Sequence, residues 1–195
     1  MPNALDSLKK GRYEFHRYEI NITIMEQTAV LSGSASKTSE RLRAAGVTLP
    51  APAQPKARFV AARQVGSLLF VSGHGPIEAD GTVHCGKVGA SVTTEDARAH
   101  ARLTGLNVLS AAHQALGDLD RITAVVKLLG MVNATPEFTD HPKVIDGCSD
   151  LFIEILGEAG AHARSAIGVA SLPDNITVEI EAIFAVEPER QTASQ

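Results

Sequence analysis

The chain has 195 residues, 44% of them apolar, and a mean hydropathy of +0.03, enough for one soluble domain with a sizeable core. Its formal charge of -4 and pI near 6.0 argue against an extended nucleic-acid footprint, which would rest on clustered Lys and Arg. No apolar run approaches the ~20 residues of a spanning helix, and Asp6, Lys9, Lys10 and Arg12 interrupt any signal-peptide core, so a cytoplasmic protein without a membrane partner is expected.

Residues 1–36 read as an N-terminal extension in which Tyr18, Ile20, Ile22 and Ile24 alternate as in a strand, with Met25 as an alternative start. Residues 37–188 read as the folded domain and 189–195 as a tail. A short helix over Ser39 to Ala45 stops at Gly46 and gives way to a linker carrying Pro50, Pro52 and Pro55. A hairpin is predicted next, Arg58 to Gln64 and Ser67 to Ser72 around Val65-Gly66, then a polar loop from Gly73 to Gly86. Thr93 and Thr94 ahead of Glu95 and Asp96 start a long helix whose Leu103, Leu106, Leu109 and Leu116 form an apolar stripe up to Gly117.

The run Ile122 to Val132 is apolar on both parities, as in a central strand covered on both faces. Pro142 opens a second helix on which Val144, Cys148, Leu151, Phe152 and Ile155 fall at helical spacing before Gly157, so Cys148 belongs to the core. Cys85 and Cys148 make neither a disulfide framework nor metal spacing, and the seven histidines form no i, i+4 pairs; no metal or cofactor is expected.

The most informative stretch is HARSAIGVASLPDNITVEIEAI, from His162 to Ile183: two strands around a Leu172-Pro173-Asp174-Asn175 turn. Side chains alternate along a strand, so Arg164 shares a face with His162, Ala166 and Gly168, while Glu179 and Glu181 turn away from the apolar side of the last strand. An arginine beside so little side-chain volume can form a small pocket ending in a cation that suits a carboxylate. The same pattern also fits cross-strand ion pairs between Arg164 and the glutamates on a solvated sheet.

Several motifs in order resemble those of the YjgF/Rid proteins, also called reactive intermediate deaminases or endoribonuclease L-PSP. They are Leu68-Leu69-Phe70-Val71-Ser72-Gly73-His74-Gly75-Pro76, Gly86-Lys87-Val88-Gly89, Leu116-Gly117-Asp118-Leu119, Ala163-Arg164-Ser165, Leu172-Pro173 and Val178-Glu179-Ile180-Glu181-Ala182-Ile183. The resemblance spans Ser39 to Val186, and the His-Ala-Arg-Ser wording is most similar to a divergent branch of that family. It implies an α+β, chorismate-mutase-like fold with a mixed six-stranded sheet and two helices on one face. It also implies a homotrimer whose sites lie between subunits.

By the same resemblance, Arg164 is the carboxylate anchor and Glu179 the site glutamate, with Gly73 and His74 lining the substrate. Three positions depart from the family pattern: Phe59 replaces an aromatic hydroxyl, Ala166 a cysteine and Asp146 a helix asparagine. The implied activity is cofactor-free hydrolysis of 2-imino acids or enamines to 2-keto acids and ammonia. The alternatives are a non-catalytic trimer that binds a carboxylate metabolite, and a pathway-specific deaminase that stacks a larger substrate on Phe59.

Overall fold

The computed structural model describes residues 36–52 and 58–188. The strand expected at Tyr18 to Ile24 and the tail lie outside the described residues. Helix α1 (Lys37–Ala44) leads to strands β1 (Ala62–Val65) and β2 (Leu68–His74). Helix α2 (Thr94–Leu116), strand β3 (Ile122–Asn133) and helix α3 (His141–Leu156) follow, then strands β4 (Ala163–Val169) and β5 (Val178–Val186). Among the described residues the sheet has five strands rather than six, in the order β1-β2-β5-β3-β4. All neighbours are antiparallel except β3 and β4, which run parallel.

The helix boundaries follow local chemistry. The Thr93 hydroxyl accepts from the Asp96 amide at the start of α2, and Gly117 closes it at φ 76°, a left-handed value that costs glycine nothing. Pro142 sits in the first turn of α3, where its missing N–H would be unpaired anyway. All five apolar positions expected on α3 are buried, Cys148 among them, and burial pushes its thiol pKa up. On α2 the burial differs from expectation: Leu109 and Leu116 are buried, but Leu103 and Leu106 only partly so. Small residues set that contact instead. A Cβ on Gly105 would come within 3.0 Å of Cys148 Sγ, and one on Gly147 would meet the Arg98 carbonyl oxygen at 2.1 Å, so the two helices approach almost backbone to backbone.

One face of the sheet lies under these helices. Leu128 of β3 and Ala182 and Phe184 of β5 are buried there, and a Cβ on Gly130 would strike Ile145 of α3. The opposite face carries Phe70, Ile183, Leu129 and Ile167, and among the described residues no layer lies above it; Phe70 is 42% and Ile167 45% exposed. Among the described residues of one chain, the expectation that β3 is covered on both faces is therefore corrected. Its apolar residues of the second parity need some other cover.

Two further expectations change. The strand expected to begin at Arg58 begins at Ala62, because the Ser72 hydroxyl takes the Val60 carbonyl and the Ser72 amide takes that of Ala61, where the β2 ladder to β5 shifts register. Strands β4 and β5 are not neighbours either, since β3 pairs with both and lies between them. A cross-strand ion pair between Arg164 and the β5 glutamates is thereby excluded within one chain.

Candidate functional site

Arg164 stands on edge strand β4 opposite Leu128, so it lies on the helix-covered face. Its Nη1 donates to Asp146 Oδ1 at 2.7 Å and to Ser149 Oγ at 3.0 Å, both on α3. Asp146 and Ser149 are three residues apart and so share one side of that helix. A second contact fixes the hydroxyl. His162 Nδ1 lies 2.6 Å from the Gly160 carbonyl oxygen, which can only accept, so Nδ1 carries the proton. In the neutral ring Nε2 then accepts from Ser149 Oγ at 3.1 Å, leaving a Ser149 lone pair for the arginine. The chain Arg164, Ser149, His162, Gly160 runs in one direction without a frustrated donor.

Sequence reading named Arg164 and Asp146 but missed Ser149 and the part played by His162. The available signal was weak: polar residues three apart on an otherwise apolar helix, and a histidine two residues before the arginine on its own face. Among the described residues no protein group bonds Nε or Nη2 of Arg164. That edge of the guanidinium is the fork that takes a carboxylate in two parallel hydrogen bonds. Ala166 lies beside it on the same face, opposite Gly130, with its side chain against the core.

A second group gathers elsewhere. Glu179 on β5 lies opposite Met131, on the uncovered face. A methyl group at Gly73 would stand 2.0 Å from Glu179 Oε1, so the carboxylate occupies the space that only a glycine leaves at the β2 irregularity. Burial, and then the like charge of Glu181, raise the Glu179 pKa above its ordinary value. A carboxyl held that way takes up a proton more readily than a free one.

His74 does not join this group. It pairs in register with core-facing Ile180, its Nδ1 donates to the Ser72 carbonyl at 2.6 Å, and burial lowers its pKa below the ordinary 6.5. Phe59, 54% exposed, lines a cleft of about 460 Å³ on the uncovered face with Arg63, Phe70, Lys127 and Glu181.

The predicted site residues thus fall into groups that do not meet within one chain. From the ladder, Arg164 and Glu179 are two strands and three residues apart, which puts their Cα atoms roughly 14 Å from each other, on opposite faces. A small ligand cannot touch both. Among the described residues no group of three or more His, Cys, Asp or Glu is arranged to hold a metal ion; His84 instead stacks on His100, ring centroids 4.2 Å apart, and bonds Glu78 at 2.9 Å. No described helix is long and apolar enough to cross a membrane.

Comparison with known proteins agrees with this architecture. Residues 39–185 match the family described as "YjgF/chorismate mutase-like, putative endoribonuclease". Protein TCP17 of Trypanosoma cruzi is 42% identical over 157 residues, 80% of this chain and 96% of that one. The 2-iminobutanoate/2-iminopropanoate deaminase of Salmonella typhimurium is 34% identical over 133 residues, 64% of this chain and 84% of that one. Among solved structures, Atu1372 of Agrobacterium tumefaciens, a protein of unknown function, is 42% identical with a TM-score of 0.73, covering 77% of this chain and 93% of that one.

Proposed function

The chain belongs to the YjgF/chorismate mutase-like family, and from that premise we propose that it hydrolyses 2-imino acids or their enamines to 2-keto acids and ammonia, in sites shared between copies of a trimer. The observation that carries this reading is the arginine whose Nη1 is tied down by Asp146 and Ser149 while its Nε and Nη2 edge is left for a ligand carboxylate. The deaminase of Salmonella typhimurium, at 34% identity, supports the reaction class.

A protonated imine is already electrophilic, so the reaction needs positioning and one well-placed acid or base. Water adds to the C=N carbon as Glu179 takes its proton and returns it to the carbinolamine nitrogen. The C–N bond then breaks to release ammonia as an oxygen lone pair closes the C=O bond, and the hydroxyl proton passes through Glu179 to the ammonia, leaving ketone and ammonium. Because Arg164 and Glu179 of one chain are too far apart, each site draws the arginine from one copy and the Gly73–Glu179 corner from another. The uncovered apolar face supports such an assembly. Both cysteines are free thiols, in keeping with a cytoplasmic protein.

A second reading has a specific observation behind it. Asp146 already pairs with Arg164, and an acid at the anchor weakens its pull on a simple anion, as in a binding protein without turnover. Imines generated in place by an amino-acid oxidase, with semicarbazone formation followed in the presence of semicarbazide, separate the two. Slower semicarbazone formation as hydrolysis outruns the trap supports the deaminase; saturable carboxylate binding with no such slowing supports the binder. A third arm with aromatic imines tests whether exposed Phe59 extends the substrate range.

A further inference from the structure

We infer that Asp146 makes the Arg164 anchor selective for ligands that carry a cation next to their carboxylate, namely 2-amino acids and protonated 2-imino acids, over 2-keto acids. This rests on the reading of Arg164 as a carboxylate anchor and goes beyond it by assigning the second charge a task.

The pairing is lopsided. Arg164 Nη1 serves both Asp146 Oδ1 and Ser149 Oγ, whereas Asp146 Oδ2 has no hydrogen-bond partner among the described residues. The Asp146 side chain is 41% exposed and that of Arg164 23%. A partly exposed carboxylate therefore pairs with Nη1 of a guanidinium whose Nε and Nη2 are bonded by no described residue, a plus and a minus on neighbouring groups. A mono-anion arriving at Nε and Nη2 gains from one charge and loses to the other, so its net attraction is reduced. A zwitterion laid in the opposite sense meets both favourably. The complement of this dipole is a carboxylate with an ammonium or iminium on the adjacent carbon.

The arrangement is also preset. Ser149 is held by His162, which is held by the Gly160 carbonyl, so the guanidinium is braced from a side that takes no part in ligand binding. Arg164 therefore does not need to leave Asp146 to meet a ligand at Nε and Nη2. The alternative task for this ion pair is to fasten α3 to edge strand β4. That role predicts a loss of stability on substitution and no change in which ligands bind.

The consequence for catalysis is directional. Hydrolysis removes the nitrogen from C2 as ammonia, so the product has lost the cation that Asp146 favours while keeping its carboxylate. The dipole that attracts the imino acid then holds the keto acid poorly, and product leaves the site.

The test is titration of the full chain with alanine, pyruvate and N-acetylalanine, followed by NMR shifts because millimolar affinities are readable that way. N-acetylalanine keeps the carboxylate and removes the cation. The parent is expected to bind alanine about tenfold more tightly than either of the others, and Asp146→Asn, which keeps an oxygen for Arg164, to bring the three within about threefold by weakening alanine and tightening pyruvate. An unchanged ratio in Asp146→Asn, or a parent that binds all three alike, overturns the inference; where Asp146→Asn fails to fold, Asp146→Ser, which also removes the charge and keeps an oxygen, carries the same comparison. Arg164→Ala is the control for the underlying reading. Loss of all three ligands there leaves that reading standing whatever Asp146 does, whereas a parent that binds none at tens of millimolar, or an Arg164→Ala that binds as the parent does, removes the anchor itself.

Discussion

The two faces of the sheet are built to different standards of closure. On the helix side, Leu128, Val132, Ile180 and Phe184 are completely buried, and the charged residue Arg164 sits at the edge strand with both acceptors supplied by α3. On the other side, Phe70 and Ile167 remain exposed, Lys127 reaches Ser165 at 2.7 Å, and Glu179 and Glu181 stand side by side without a cation bonded to them among the described residues. The first face completes the fold by itself. The second pairs apolar exposure with an up-shifted carboxyl, which costs stability in a lone chain and makes sense when another copy covers it.

The largest expected effect is at the anchor. Arg164→Ala should weaken ligand binding by ~2 to 5 kcal/mol if the bound carboxylate is well desolvated, and Arg164→Lys by less, because an ammonium offers a point charge without the fork. Titration with a carboxylate ligand measures both; a change under about threefold would show that the covered face holds no binding group. Next in size is the corner on the other face. Gly73→Ala pushes a methyl into the Glu179 carboxylate, whose end can swing away, so thermal stability should change little while kcat falls by about 10- to 100-fold. Unchanged turnover would show that the position of Glu179 is not used.

The uncovered face is tested by Ile167→Asp and Phe70→Asp. Both residues are over 40% exposed in one chain, so folding should persist while light scattering falls from the mass of three copies toward the 20.5 kDa of one. Variants that keep the parent's mass would mean that this face is not the assembly surface.

The smallest effect is one of pH. The fold raises the Glu179 pKa above its unfolded value, so ionisation there costs stability at pH above the folded pKa, and that cost disappears as pH falls below the unfolded one. Glu179→Gln should therefore melt higher than the parent at pH 8, with the advantage shrinking toward pH 4. A difference independent of pH would remove the desolvated-carboxyl account.

What was legible in the chain was mostly local. The Thr93 cap, the Gly117 stop, the Pro142 start and the alternation of Val178 to Phe184 each depend on a few neighbouring residues, and the structure follows all of them. The face of Glu179 was also readable from parity alone, whereas that of Arg164 was not, because small neighbours such as Ala166 and Gly168 suit a pocket and a solvated face alike. Strand order was not, because nothing local to His162–Ile183 states that β3 will insert between the two strands. That insertion changes the site most: it turns two charges near each other in sequence into two that never meet in one chain. Ser149 and His162 escaped notice because their hydrogen bonds join α3 to β4, a contact made by packing and unmarked by any motif.

The most direct measurement is complementation between two inactive variants. Arg164→Ala and Glu179→Gln, each folded, assembled and unable to accelerate imine hydrolysis, are mixed, dissociated and reassembled, and ammonia release is followed. If each site takes its arginine from one copy and its glutamate from another, mixed assemblies regain intact sites and activity returns to a sizeable fraction of the parent's. If both residues act from the same chain, every site stays broken, no activity returns at any mixing ratio, and the account of a site shared between copies is contradicted.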